Sequence, residues 1–569
     1  MFGFRRIGVL ILLLCSAFTA YAQPPKGENA IPAPHVLDIA SGFPEGALMT
    51  FGMRLDDDFI TELDALTTYV GGRGTPLPSE LLNEIDFLGE GFDITLRSWL
   101  GDRAAVAVYN VNLFNGGFGF LFAAEISDRY SAEVVFNAVA SELNATITEE
   151  NGVTRYDFEL NSQDAAGLQP RMQTMLTDET VYIGSASRMP DATRPTLGED
   201  TTFTETMALL PEDQYNFAFY LDGQRLIDLS LFATAFADDV PLDTEQLRTL
   251  QDGLGGVVMA GTILDGDTLA IDFAQTRIDP EMLAGFGIES ELIAPLRYKF
   301  AEQFPANTAL MLHSNDVPAL ITGVGKFLEL QEQFTTAPFS LNAILNEQIE
   351  QTGVFLDLAT VLQTEVDPSI NRDVVLWVGY DDSGASAVSH PLSPIEFAIV
   401  TDVQGGDPQV LQARFEAVEV IAPDALETLL EGALSMRLQV STARETINGR
   451  EAILVYTDEL FELIVTLDQD RYIVGTRGVV TGLLTEDTET LPDNLRYTDA
   501  QARLFLPNAT SYGYVDYPVI FAALDTAGAF LGTPDAPTRA EYIESATIST
   551  ARDAEGNAFV RLTITFMER

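Results

Sequence analysis

Four copies of one short motif punctuate this chain: Phe43-Pro44-Glu45-Gly46, Leu210-Pro211-Glu212-Asp213, Phe304-Pro305-Ala306-Asn307 and Leu506-Pro507-Asn508-Ala509. Each is followed by a short apolar strand pattern, then an Asp, then a helical pattern. In the first copy Asp56, Asp57 and Asp58 precede Phe59, Ile60, Leu63 and Leu66. In the second, Tyr215, Phe217, Phe219 and Leu221 alternate with other residues before Asp222. The third places Asp316 and Pro318, and the fourth Asp516 and Pro518, at the start of the helical pattern. An Asp there accepts hydrogen bonds from free amides, and Pro in the first turn forfeits no helical bond. Each Asp therefore reads first as a cap.

The segments between the copies also match in order. Strand, strand, helix and further strands run from residue 104 to 184, and again from 374 to 475. Asn151-Gly152 and Asn448-Gly449 sit between strand patterns, as a tight hairpin requires. Each half ends in a long hairpin, at residues 257–276 and 543–566. The expectation is an α+β fold: a tandem duplication of two similar halves, each a mainly antiparallel sheet with packed helices. The divisions expected are a signal peptide at 1–22, a flexible leader at 23–42, a first repeat at 43–300 and a second at 301–569. Stretches 161–177 and 381–394 read as surface insertions, and the second half's helix as residues 408–420.

The N-terminal residues have a secretory layout: Arg5 and Arg6, an apolar run at 7–14, and Ala20-Tyr21-Ala22 at the exit. Cleavage after Ala22 leaves a mature chain beginning at Gln23. Cys15, the only cysteine, goes with the removed segment, and Leu14 before it is too large for a lipidation site. Disulfides, thiol catalysis and cysteine-bound metals are then excluded. No later segment has the ~18 apolar residues of a membrane span. The expected location is periplasmic, cell-surface or extracellular.

A net charge of −54, with 85 acidic and 31 basic residues, disfavours nucleic acid and anionic lipid as partners. The carboxylates are scattered, which fits an acidic folded surface. At 46% hydrophobic, the chain has material for large cores.

Phe304-Pro305-Ala306-Asn307-Thr308-Ala309, set beside Asp93-Ile94-Thr95-Leu96-Arg97-Ser98-Trp99-Leu100-Gly101-Asp102, resembles the exported bacterial proteins of the domain-of-unknown-function family numbered 3352. The resemblance covers most of residues 43–569. It implies an exported protein of this architecture and carries no catalytic residues. The second half departs from the Trp-Leu-Gly element, reading Ser369-Ile370-Asn371-Arg372-Asp373, with Trp377 inside the strand.

Chemistry is sparse. The three histidines are His35, His313 and His390, so no close two-His metal motif can form. Ser314 beside His313, with Asp316 nearby, is the best nucleophile arrangement, but strand neighbours point to opposite faces. Gly253-Leu254-Gly255-Gly256 precedes a strand, whereas a dinucleotide fingerprint follows one. Asp56-Asp57-Asp58 with Glu62, and Asp265-Gly266-Asp267, offer oxygen ligands, yet neither fits a calcium loop. Phe114, Phe118, Phe120 and Phe122, and the stripe Tyr215, Phe217, Phe219, read as core packing or as the lining of an apolar groove.

No catalytic or cofactor-binding residue is assigned, no cofactor is expected, and the metal question stays open. The reading is an exported, non-enzymatic binding or envelope-associated protein. The alternatives are a carrier of a lipid or peptide in a groove between sheet and helices, and a carboxylate- or calcium-dependent hydrolase. An envelope component, a cationic partner or an apolar ligand are the partners open to it.

Overall fold

The apolar runs between turn signals become strands, twenty of them among the residues described by the computed structural model: 36–71, 79, 98–111, 118–158, 172–191, 193–212, 215–226, 255–264, 266–276, 295–315, 373–381, 394–403, 407–434, 439–457, 462–469, 471–485, 489–523, 543–553 and 555–567. The chain divides into two compact units, Met1–Glu291 with Asp553–Phe559, and Leu292–Arg552 with Val560–Arg569.

In the first unit the strands are β1 (Met49–Arg54), β2 (Leu100–Val111), β3 (Phe118–Ile126), β4 (Thr146–Glu150), β5 (Val153–Phe158), β6 (Met172–Leu176), β7 (Thr180–Ser185), β8 (Phe217–Asp222), β9 (Gly256–Leu264) and β10 (Thr268–Gln275). They pair antiparallel in the order β4-β5-β6-β7-β3-β2-β1-β8-β9-β10. Helices α1 (Asp38–Ser41), α2 (Asp57–Gly71), α3 (Arg129–Glu142) and α4 (Thr201–Met207) accompany them. Helix α3 starts where the Asp128 side chain accepts the amides of Tyr130 and Ser131. Its inner face packs Phe136 against Trp99, at a ring separation of 5.6 Å, and against Tyr156. Burying each of these rings contributes roughly 2–3 kcal/mol.

In the second unit β11 (Thr308–Ser314), β12 (Val374–Tyr380), β13 (Ile395–Asp402), β14 (Ser441–Ile447), β15 (Arg450–Tyr456), β16 (Glu462–Asp468), β17 (Arg471–Gly475), β18 (Ser511–Asp516) and β19 (Ile543–Arg552) are joined as β14-β15-β16-β17-β13-β12-β11-β18-β19. These pairings are antiparallel, and β19 also pairs with β20 (Ala558–Phe566). Helix α5 (Pro408–Leu434) covers β14 to β16, with Phe415 in a core of Ile453, Val455 and Val465. Helices α6 (Arg477–Thr485) and α7 (Leu495–Arg503) follow.

The motif prolines act as strand punctuation: Pro44 bridges to Thr196 and Pro305 to Thr490. Thr196 with Glu199, and Thr490 with Asp493, each form a reciprocal cap on a short helical turn.

These observations correct the expected class. The protein is dominated by antiparallel sheet, and a duplication of two similar α+β halves is not what it displays. The compact units are not successive halves of the chain, since Asp553–Phe559 belongs with the first. The helices of the two units differ too, at 14 residues in α3 and 27 in α5. Two strands are absent from the sequence reading, which therefore understates the sheet. β6 lies inside a stretch read as an insertion, and β16 has no counterpart in the sequence reading. The shared proline motifs and Asn-Gly turns are local devices that any antiparallel meander uses.

Candidate functional site

The one buried imidazole among the described residues lies on β11. His313 stands between Val375 of β12 and Tyr512 of β18, with no exposed surface. The Tyr512 ring meets it edge-on at 5.4 Å, and the Tyr512 hydroxyl is 2.9 Å from that of Tyr497. Asp373, just before β12, brings Oδ1 within 3.8 Å of His313 Nε2, beyond hydrogen-bonding distance. The amide of Asp402, at the end of β13, donates to the Asp373 carbonyl at 2.8 Å. Arg297 places its guanidinium 3.8 Å from the Asp402 carboxylate, and its backbone amide serves Asp373.

Electrostatics makes this a pair without charge only between about pH 3 and pH 6. Burial pushes His313 down to about 3, so its imidazole is neutral at physiological pH. Burial and then the neighbouring Asp402 push Asp373 up to about 6, with Arg297 acting the other way. Chemically, the two groups are too far apart to pass a proton directly, and both are buried away from solvent.

A second displaced carboxylate, Glu396 of β13, faces the start of α6. Its pKa rises to about 7 through burial and then repulsion from Asp381, against a hydrogen bond from the Val479 amide. A Cβ on Gly478 would come 1.7 Å from Glu396 Oε1, so the glycine makes room for the carboxylate.

The other candidates separate. Ser314 is buried and stands opposite Ser511 on β18, while Asp316, His35 and His390 lie outside the described residues. Asp56 accepts the Phe59 amide at 3.1 Å and binds the Arg54 guanidinium at 2.6 and 2.7 Å, so it works as a cap. Asp57 and Asp58 occupy the first turn of α2. Asp265 is outside the described residues; Asp267 accepts the Thr268 hydroxyl beside Gly266, whose φ is +80°. Among the described residues no group of three or more His, Cys, Asp or Glu is arranged to hold a metal.

Of the aromatics, Phe122 packs onto the Trp99 core, and Phe219 onto Leu48, Leu221 and Leu226. Tyr215 donates to buried Asp272 at 2.6 Å, and Phe114 lies outside the described residues. No helix among the described residues is long and apolar enough to cross a membrane, which says nothing of a β-barrel.

Sequence reasoning missed Asp373 with Asp402. The two stand 29 positions apart on adjacent strands, and only the β12–β13 register joins them. Compared with protein-family models, curated proteins and solved structures, the chain matches none.

Proposed function

We propose that this chain is an exported binding or envelope-associated protein that performs no catalysis of its own. The observation that carries this is the state of its most acid-base-like pair. His313 and Asp373 are enclosed, 3.8 Å apart and uncharged below about pH 6, so neither group is presented to a substrate. A working general base needs its atoms within reach of the substrate proton. The aromatic stripe that a carrier would line with is in part committed elsewhere, Tyr215 to Asp272 and Phe219 to its own core. Export rests on Arg5, Arg6, the apolar run and the Ala20-Tyr21-Ala22 exit. The acidic balance favours partners that carry positive charge.

The test has two arms. Fractionation with intact-mass measurement is expected to find a processed chain starting at Gln23 outside the cytoplasm. Chromogenic ester, phosphomonoester and glycoside substrates are expected to hydrolyse at the same background rate with wild type and with Asp373→Asn. A turnover that the substitution abolishes would overturn the non-enzymatic reading.

A further inference from the structure

The β4–β5 hairpin turns through Asn151 and Gly152, with φ of +51° and +78°. Positive φ at both central residues defines a two-residue type I′ turn. The residues flanking such a turn, Glu150 and Val153, exchange both backbone hydrogen bonds. Alternation then aims the backbone groups of Glu150, Thr148 and Thr146 at β5, and those of Ile147 and Glu149 away from it. Among the described residues β4 pairs with β5 alone, and all five of its residues are exposed. Ile147 stands opposite core-facing Tyr156, so its side chain lies on the helix-covered face of the sheet. It is nevertheless 50% exposed, beside Leu143 at 49% where α3 ends.

The edge strand of the second unit is closed by two devices. β14 leads into an identical turn, Asn448-Gly449, and Arg444 stands four residues before it, the place Ile147 holds before Asn151. The Arg444 guanidinium forks onto Glu419 of α5 at 2.9 and 2.8 Å and also binds Glu451 at 2.7 Å. Farther along α5, Glu427 accepts the Val440 amide at 2.9 Å. A charge on the edge and a helix along it are standard protections against strand addition. At the matching place β4 presents isoleucine and outward-facing backbone groups.

We propose that the β4 edge of the first unit is a docking site for an extended, cationic segment of another protein, which adds as a further strand. The segment supplies backbone partners to Ile147 and Glu149. Its apolar side chains cover Ile147 and Leu143 on the helix-covered face, and its basic ones, on the opposite face, meet Glu150, with Glu149 adding attraction at longer range. A second copy of this chain is a poor occupant, because each copy carries a net charge of −54. The proposal rests on the binding-module reading and names the surface and partner chemistry.

The probe is a short end-blocked peptide alternating valine and arginine, titrated into the full mature protein. The expected result is saturable binding that weakens as sodium chloride rises, with new hydrogen-exchange protection at the Ile147 and Glu149 amides. Glu149→Pro deletes an outward amide while leaving the ladder to β5, and is expected to weaken binding about tenfold or more. Glu149→Ala, which keeps the amide, loses only the charge contribution. Melting curves of both variants check that they fold. Equal binding by both variants, protection elsewhere, or no binding at all would overturn the proposal. So would a dimer in sedimentation that Glu149→Pro dissociates. Hydrolytic activity found alongside localised peptide binding would remove the non-enzymatic reading and leave this site standing.

Discussion

Arg103 of β2 reaches across to Glu125 of β3 at 2.6 Å, with Asp38 at 3.7 Å on its other side, whereas Asp373 and Asp402 set two carboxylates at the neighbouring ends of β12 and β13. Deeper in, the contrast repeats. Gly52 of β1 lies between Ala105 and Ala218, and the space beside it is taken by the tip of Leu37. His313 of β11 lies between Val375 and Tyr512, with Asp373 close by. One unit fills its strand end with hydrocarbon and places an ion pair at the rim. The other buries an acid and a base there, the base neutral and the acid holding its proton up to about pH 6. An antiparallel frame accepts either solution, provided no isolated charge is enclosed.

The sharpest way to break this comparison is to exchange the inner residues. A Cβ at Gly52 would sit 2.7 Å from Leu37 Cδ2 and 3.0 Å from the Val36 carbonyl, so Gly52→His forces main chain as well as side chain to move. Overpacking, with a polar ring that lacks a carboxylate beside it, is expected to cost about 3 kcal/mol or more. His313→Gly leaves a cavity and is expected to cost about 2–4 kcal/mol in the second unit. Because two compact units need not unfold together, hydrogen exchange at β1 and β8, and separately at β11 and β18, is the appropriate measurement. Substitutions that change protection by less than ~0.5 kcal/mol, the usual scale of inert surface changes, would show that the two interiors are interchangeable.

The second prediction concerns protons. Asp373 has its pKa raised from 3.8 to about 6, so taken alone it makes folding less favourable as pH rises through that interval. His313 has its pKa lowered from 6.5 to about 3, so taken alone it makes folding more favourable as pH rises from 3 to 6.5. Between pH 4 and 6 the unfolded pair holds one proton, on the imidazole, and the folded pair holds one proton, on the carboxyl. The two slopes cancel. Each single variant uncovers one of them, at about 1.4 kcal/mol per pH unit. Relative to wild type, Asp373→Asn is expected to gain stability as pH goes from 4 to 6, and His313→Gln to lose it. Slopes of the same sign in the two variants would end the neutral-pair account.

How much of this was legible beforehand differs between backbone and site. β12 was expected at 374–380 and is found there, because Trp377 and its β-branched neighbours sit between clear turn signals. Both Asn-Gly turns were legible for the same reason. β6 was not: Met172-Gln173-Thr174-Met175-Leu176 has one β-branched residue and no aromatic, so it becomes strand only because β5 and β7 flank it. The sequence pattern ends this helix at Val420, whereas α5 runs through Pro423 to Leu434. Proline costs a helix locally, yet α5 continues past Pro423, and beyond it Glu427 accepts the Val440 amide. The site was less legible still. Asp373 was visible only as a residue before a strand, since nothing in the sequence announces which carboxylate and imidazole the register will bring together.

The smallest expected effect compares the rims, and it turns on sign. Arg103 and Glu125 attract in a partly exposed setting, so Glu125→Gln is expected to destabilise the first unit by only about 0.5 kcal/mol. Asp402 raises the cost of ionising Asp373, so Asp402→Asn is expected to be neutral or to stabilise the second unit slightly at pH 7, although it gives up the 3.8 Å contact with Arg297. Salt separates the cases further, because screening weakens attraction at one rim and repulsion at the other. Adding sodium chloride should therefore shrink the Glu125→Gln penalty and shrink any Asp402→Asn gain. The measurement is local hydrogen exchange for both variants at low and high salt. If Asp402→Asn destabilises as Glu125→Gln does, with the same salt response, then Arg297 outweighs the second carboxylate. The two rims would then be the same device with the charges rearranged.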